Sequence, residues 1–319
     1  MLSRRYQLFV LKIVSLFSVV RGYNIPIIAL AQYLSAIFIL APEKRALSIL
    51  LDFHLFIIVL ASSLAIASGY IINSFYDSKK DLINKPNKSQ LDRLVSQKTK
   101  LKVYFGLNFF VALIAFFISF RAVLFFSTYI FFIWFYSHKI KKYPLIGNLM
   151  VAMLAIMPFF AILLYYYLKM PLYEIESNSG KLAVILSHGS FLFLLLLIRE
   201  MIKDLENLKG DFANDYKTIP IIYGERVSKK IMTGLALLTI IPVYFLIDVY
   251  DVGYMDIYFY FGFIVMIFFL LYLWKWETKE QYVLLHNVLK FVIVAGVFCI
   301  VLINPSVLWH GKKILMTAI

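Results

Sequence analysis

Apolar runs recur along the entire chain, and this repetition restricts the possible folds more than any other feature. Runs of about 20 residues match the length of a helix that crosses the hydrocarbon core of a bilayer. Nine predicted spans are separated by polar loops: 13–40, 46–72, 103–120, 122–136, 147–168, 182–202, 231–249, 257–274 and 283–303. The sequence therefore predicts an all-α, polytopic membrane bundle, with residues 1–319 forming a single domain.

Composition agrees with that class of protein. The chain is 62% hydrophobic and 16% charged, with a mean hydropathy of +0.83, and a water-soluble domain does not need so much apolar surface. A net charge of +14 could indicate a nucleic-acid partner, but here the basic residues lie in short loops between spans. Their distribution therefore indicates the orientation of the spans in the membrane. We expect no nucleic acid, a cytoplasmic N-terminus and cytoplasmic acidic motifs, in a bacterial inner membrane.

The first polar stretch follows the second apolar run. Asn73, Asp77 and Asp81 are each four residues apart, so on a helix they share one face. Two stacked carboxylates repel each other unless a cation lies between them, and oxygen ligands suit a hard ion such as Mg²⁺. Basic residues follow at once, as a bound phosphate group needs. A solvated helix end is the simpler interpretation of these acids taken alone.

A second acidic cluster leaves the sixth predicted span on the same side. Glu200, Asp204, Asn207 and Asp211 are spaced by four, three and four residues and also share a helix face. Each cluster carries an electrostatic cost, so two of them on one side are hard to explain structurally. We therefore expect the two clusters to face each other at one membrane surface.

The chemistry that fits two such clusters is ionisation of an allylic diphosphate. The departing diphosphate needs Mg²⁺ bridged to carboxylates, together with cationic side chains. The prenyl group needs an apolar, aromatic-lined cavity that excludes water. The chain contains 30 Phe, 22 Tyr and 4 Trp, although most of these are expected to pack in the bundle or face lipid.

Two other classes of protein remain open from the residues alone. A cation-coupled membrane transporter also uses paired acids, but it usually holds them near the bilayer midplane in broken helices. A structural scaffold or lipid-binding protein predicts no penalty for replacing Asp77 or Asp204.

Arg21 and Asn24 interrupt the first apolar run. Their spacing predicts that they share a helix face, where Arg21 either pairs with an anionic acceptor group or only snorkels to the interface.

At this point the motifs resemble the UbiA superfamily of intramembrane prenyltransferases. The first match is Asn73-x-x-x-Asp77-x-x-x-Asp81, and the second is Arg199-Glu-x-x-Lys203-Asp204-x-x-Asn207-x-x-Gly210-Asp211. Between and after them lie Tyr136-Ser-x-x-x-Lys141, Pro144-Leu-Ile-Gly147-Asn148 and Lys217-Thr218-x-Pro220. The matching motifs extend over about residues 21–224, and Asn207 stands where the family usually has an aspartate.

The resemblance implies nine transmembrane helices around a central cavity. It also implies Mg²⁺-dependent transfer of a polyprenyl group from a polyprenyl diphosphate donor to a lipophilic acceptor, among membrane lipids. The acceptor is either an isoprenyl glycerol phosphate lipid or an aromatic quinone precursor. The implied catalytic residues are Asp77, Asp81, Asp204 and Asp211. The implied Mg²⁺ ligands are these four with Asn73 and Asn207. Lys139, Lys141 and Arg93 are expected to bind diphosphate, and Arg21 and Asn24 to bind the acceptor.

Overall fold

The computed structural model describes residues 4–169 and 179–309. Within these two ranges every regular element is a helix. The α-helices are α1 (Arg4–Val19), α2 (Ile25–Ser35), α3 (Ala46–Leu50), α4 (Phe53–Tyr76), α5 (Ser78–Asn84), α6 (Pro86–Asp92), α7 (Gln97–Phe116), α8 (Phe120–His138), α9 (Ile146–Lys169), α10 (Ser179–Glu206), α11 (Leu208–Ala213), α12 (Ile219–Tyr223), α13 (Glu225–Leu238), α14 (Ile240–Tyr244), α15 (Asp256–Lys275) and α16 (Lys279–Cys299).

Eight segments in the described residues are long and apolar enough to cross a membrane. They are Phe53–Tyr76, Gln97–Phe116, Phe120–His138, Ile146–Tyr167, Leu182–Glu206, Glu225–Val249, Gly253–Lys275 and Lys279–Ile303. Large apolar side chains on their outer faces are exposed, such as Phe109 on α7 and Phe263 on α15. Such an apolar exterior is suited to lipid and not to water. The chain is therefore an integral, multi-pass membrane protein.

The first predicted span is wrong as a single helix. The structure divides it into two shorter apolar helices, Val10–Val19 and Ile25–Leu40, separated by a turn at residues 20–24. Arg21 has a φ of 48° in this turn, a left-handed conformation that ends a helix. Pro26 then lies in the first turn of α2, where its missing N–H and fixed φ are tolerated. Arg21 and Asn24 consequently do not share a helix face.

Packing brings the ends of the two motif-bearing helices together. α4 packs against α7, α8 and α9, while α10 packs against α9, α13 and α16. α2 lies against α4, α9 and α16 and so joins the two groups of helices. At one end of the bundle, the short helix α5 that follows α4 contacts the short helix α11 that follows α10.

Candidate active site

The first acidic motif lies at a one-residue break between two helices. α4 ends at Tyr76, Asp77 adopts φ −85° and ψ 3°, and α5 begins at Ser78. Helical hydrogen bonding nevertheless continues across the break. The Asp77 N–H donates to the Asn73 carbonyl over 2.9 Å, and the Asp81 N–H donates to the Asp77 carbonyl over 2.8 Å. The predicted four-residue stagger of these side chains is therefore kept through the break.

The second acidic motif repeats this local structure. α10 ends at Glu206, Asn207 adopts φ −104° and ψ 11°, and α11 begins at Leu208. The Asn207 N–H donates to the Lys203 carbonyl, and the Asp211 N–H donates to the Asn207 carbonyl, both over 3.0 Å. The coarse sequence repeat is thus a structural repeat, in which a long apolar helix breaks at a motif residue and continues as a short helix.

Direct contacts join the two motifs. The backbone N–H of Gly210 in the second motif donates to Asn84 Oδ1 over 3.0 Å. A Cβ at Gly210 would overlap the Asn84 side-chain amide, so this approach depends on glycine. Lys80 Nζ of the first motif lies 2.5 Å from Asp211 Oδ1 of the second. The prediction that the clusters face each other at one end of the bundle is confirmed.

A polar pocket of about 90 Å³ lies between the motifs. The predicted site residues that line it are Arg21, Asn73, Asp77, Asp81, Lys141, Asp204 and Asn207. Asn148 on α9 also lines the pocket and donates to Asp204 Oδ2 over 2.7 Å. Lys141 belongs to the loop after α8, and this loop carries it over the end of α4.

Four predicted site residues do not line this pocket. Lys139 and Arg93 are exposed side chains outside its lining, so the structure does not bring them to the expected diphosphate site. Asn24 lines the apolar cavity described below. Asp211 is fully buried against Lys80, so a metal-ligand role for Asp211 requires Lys80 to move.

Sequence reasoning missed several residues of the pocket. Lys80, Lys85 and Lys203 line it. Their signal was position, since Lys80 and Lys203 lie inside the motifs and Lys85 follows the first one. Tyr216 also lines it and donates its hydroxyl to Asp77 Oδ1 over 2.8 Å. No spacing rule indicated Tyr216, because the turn after α11 and not helical periodicity brings it to Asp77.

Lysines hold Asp77 of the first motif in its charged form. Burial alone would raise the pKa of Asp77, but Lys141 and Lys80, with hydrogen bonds from Lys141 and Tyr216, keep that pKa below its usual value. Lys141 Nζ donates to Asp77 Oδ1 over 2.7 Å. Asp81 differs, since burial and the nearby Asp77 charge raise its pKa. The pocket therefore contains closely spaced charges of both signs.

The donor set of the pocket fits a divalent cation bound together with an anionic substrate. Among the residues that the structure describes, no group of three or more His, Cys, Asp or Glu side chains converges on one point. Lysines lie between the carboxylates instead. Asn207 Oδ1 is buried and has no hydrogen-bond partner in the described ranges, so it offers an oxygen ligand in the pocket that Asp204 also lines. Carboxylate and amide oxygens are ligands that Mg²⁺ accepts, usually together with substrate phosphates.

An apolar cavity of about 280 Å³ lies next to the polar pocket. Residues one helical turn apart on the same helices line the two spaces: Asn73 and Tyr70 on α4, Val151 and Ala155 on α9, Glu200 and Leu196 on α10. The cavity is therefore one turn further from the motif end of the bundle. Its aromatic lining includes Tyr70, Phe159, Phe191 and Tyr258. The Arg21 guanidinium lies 5.1 Å from the centroid of the Tyr70 ring, at the boundary between the two spaces.

The described helices form a membrane bundle that holds a polar pocket beside an apolar cavity. The sequence profile of the UbiA prenyltransferase family matches residues 29–285. The chain belongs to the UbiA prenyltransferase family, and it is an enzyme of that type.

Curated relatives agree with this family. A digeranylgeranylglyceryl phosphate synthase from Methanobrevibacter smithii is 28% identical over 213 residues, which cover 64% of this chain and 71% of the relative. A protein of the same name from Thermococcus sibiricus is 32% identical over 174 residues, covering 54% of this chain and 57% of the relative. These relatives are archaeal. The bacterial membrane and the cytoplasmic side of the motifs stay predictions.

Solved structures share the fold. A digeranylgeranylglyceryl phosphate synthase structure superposes with a TM-score of 0.66 at 21% identity, covering 92% of this chain and 98% of the other. A UbiA homologue from Archaeoglobus fulgidus, bound to DMAPP and Mg²⁺, superposes with a TM-score of 0.62 at 13% identity. The superposition covers 90% of this chain and 99% of the homologue. At these identities the likeness establishes the bundle architecture and nothing further.

Proposed function

We propose that this enzyme transfers a polyprenyl group from an allylic diphosphate to the hydroxyl group of a prenylated glycerol phosphate lipid. The observation that carries the proposal is the stacking of two different spaces along the same helices. A pocket rich in lysine and carboxylate suits a diphosphate, and the aromatic-lined cavity one turn deeper suits its hydrocarbon chain. A prenyl diphosphate needs both environments side by side.

Residues of the polar pocket would hold the diphosphate and Mg²⁺. Lys141 and Lys80 are the cations that act on Asp77, and they can pair with diphosphate oxygens. The side chains that would hold Mg²⁺ are Asn73, Asp77, Asp81, Asp204 and Asn207. When bound, Mg²⁺ neutralises charge on the departing diphosphate. Tyr216 fixes the orientation of Asp77 through its hydroxyl hydrogen bond.

The apolar cavity would hold the prenyl group during its transfer to the acceptor. The bond between the prenyl C1 and the diphosphate oxygen breaks, and its electron pair leaves with the diphosphate. C1 then bonds to the acceptor oxygen, and the proton of that hydroxyl group passes to the released diphosphate. Electron-rich ring faces of Tyr70, Phe159, Phe191 and Tyr258 suit an electron-poor allylic group. The apolar lining excludes water, which would otherwise compete with the acceptor.

A glycerol phosphate lipid is the acceptor that the relatives favour. The relatives from Methanobrevibacter smithii and Thermococcus sibiricus are both named digeranylgeranylglyceryl phosphate synthase. The continuation Lys217-Thr218-x-Pro220 after the second motif looks most like enzymes of that branch, but it also occurs in enzymes that prenylate aromatic quinone precursors. An aromatic acceptor is therefore the alternative outcome to be tested.

A matrix of donors and acceptors tests this function. Radiolabelled prenyl diphosphates of several chain lengths are combined with a prenylglycerol phosphate or an aromatic acid, using membranes that contain the enzyme. We expect labelled product with the glycerol phosphate lipid and none in membranes containing Asp77→Asn. Product formed only with the aromatic acid would assign the acceptor to the other class. Absence of product with every pair would contradict the proposal.

A further inference from the structure

Two basic side chains line the otherwise largely apolar cavity. Arg199 lies on α10, and Lys290 lies on α16, inside the apolar segment Lys279–Ile303. A charged side chain within a membrane span is costly and usually marks a functional site with an identifiable partner. Neither residue belongs to the diphosphate pocket, whose lining does not include them.

Protein groups leave both cations incompletely paired. Lys290 makes no salt bridge with any residue that the structure describes, and its only charge-related contact is the Tyr23 ring, 5.0 Å from Nζ. Arg199 Nη1 donates to Glu200 over 3.1 Å, but Glu200 also accepts from Lys203 over 2.5 Å. The Nε of Arg199 is buried and has no partner in the described part of the chain. Both side chains therefore keep donor capacity for an anionic ligand.

The two cations lie at nearly the same depth. His286 on α16 contacts Glu206 at the end of α10 over 2.9 Å, which fixes the level of these antiparallel helices. Arg199 lies seven residues before Glu206, and Lys290 lies four residues after His286. At about 1.5 Å per residue, the difference of three residues is about 4.5 Å along the axis. Both side chains can therefore reach one ligand in the cavity that they share.

We infer that Lys290 and Arg199 bind the phosphate group of the acceptor lipid. This inference rests on the proposed function and assigns its acceptor end. A phosphate monoester carries up to two negative charges, which two cations can match, and the planar arginine fork suits phosphate oxygens. Asn24 lines the same cavity and supplies a neutral donor. The acceptor phosphate then lies one helical turn from the diphosphate pocket, which keeps the two anions apart.

This assignment differs from the sequence prediction for Arg21. An anionic acceptor group was expected to pair with Arg21, but Arg21 faces the polar pocket and packs against Tyr70. Lys290 and Arg199 line the adjoining, largely apolar cavity instead. Arg21 therefore belongs to the boundary between the donor and acceptor ends, and its replacement should not change discrimination for phosphate.

Two acceptors that differ only in the phosphate test the inference. The purified full-length enzyme in lipid nanodiscs is assayed with a prenylglycerol phosphate and with the same prenylglycerol lacking phosphate. Lys290→Met keeps the side-chain length and removes the charge. We expect kcat/KM for the phosphorylated acceptor to fall by about 10- to 100-fold, as for loss of a charged hydrogen bond. The value for the unphosphorylated lipid and the Kd for prenyl diphosphate should change little.

Matched variants separate an anion site from a packing role. Lys290→Arg should restore most of the phosphate preference. Arg199→Gln should reduce the preference, because it removes one of the two cations. Glu200 stays paired in that variant, since it keeps Lys203 as a partner. Lys275→Met removes an exposed lysine from the neighbouring α15 and should leave both acceptors unaffected. Equal losses with both acceptors in folded Lys290→Met would overturn the assignment. Loss of the preference in Arg21→Ala, with retention in Lys290→Met, would also overturn it.

The outcomes for the inference and for the proposed function remain distinguishable. A wild-type enzyme that uses both lipids equally supports prenyl transfer and refutes a phosphate site. If neither lipid is prenylated, the proposed function fails, but the anion site can still be measured. The prenylglycerol phosphate should then raise the Tm of the wild-type protein and not that of Lys290→Met. Equal shifts in Tm would refute the site.

Discussion

Lys141 donates a hydrogen bond to Asp77 across 2.7 Å, joining the loop after α8 to the break that ends α4. Asp77 also accepts the Tyr216 hydroxyl over 2.8 Å. Because both partners come from distant parts of the chain, the first motif is preorganised by tertiary contacts. The same lysine is close enough to the pocket to turn toward a diphosphate when one binds.

Replacement of Lys141 should separate its role from that of its neighbour Lys139. Lys141→Met removes a buried cation from the pocket, and we expect turnover to fall by about 10²–10³-fold with weaker donor binding. Lys139→Met should have little effect, since Lys139 is exposed and outside the pocket lining. Steady-state turnover and prenyl diphosphate binding check both variants. Equal losses of turnover in Lys141→Met and Lys139→Met would contradict the different positions of the two lysines.

Metal dependence should require both motifs. Asp77→Asn and Asp204→Asn each remove a carboxyl group from the pocket lining, so turnover should fall by orders of magnitude while the protein stays folded in detergent. A chelator should abolish wild-type activity, and added Mg²⁺ should restore it. Initial rates across a magnesium titration test this, with Tm as the folding control. Near-normal turnover in either variant would remove that carboxylate from the proposed metal site.

Asn207→Asp should retain activity with a small loss of stability. The free Oδ1 of Asn207 stays an oxygen donor after the change, so Mg²⁺ dependence should be maintained or tightened. The amide Nδ2 now donates to the Lys203 carbonyl over 2.7 Å, and a carboxylate cannot replace that donor. Loss of this hydrogen bond should cost about 1 kcal/mol of unfolding free energy. Inactivity in a folded variant would show that position 207 faces something other than the metal.

Gly210→Ala should weaken the contact that joins the two motifs. The new methyl group would displace the Asn84 amide, which accepts a hydrogen bond from the Gly210 N–H. We therefore expect the free energy of unfolding to fall by about 1–3 kcal/mol and turnover to be lower. Thermal unfolding and turnover measure both effects. Combining it with Asn84→Ala should recover part of the stability, since the clash is then absent. Gly234→Ala is the matched control, because a Cβ there meets open space.

Much of the fold and part of the site follow from sequence. Apolar runs of membrane-spanning length require helices, because backbone polar groups in lipid must be satisfied within the same segment. The stagger of Asn73, Asp77 and Asp81 survives the break between α4 and α5, since helical hydrogen bonds continue through it. The first span could not be predicted correctly. Its break depends on the left-handed turn at Arg21 and on Pro26, which an average of hydropathy over the run does not detect.

The sequence by itself determined that this chain is a helical membrane protein whose two acidic motifs share one end of the bundle. These properties depend on local periodicity and on the apolar content of each segment. Only the tertiary structure decided that Lys141 and Tyr216 hold Asp77, and that Lys80 covers Asp211. It also decided that Lys139 and Arg93 are exposed and lie outside the pocket lining. The reason is physical: lysine and arginine side chains are long and flexible, and the carboxylates within their reach depend on how distant helices pack.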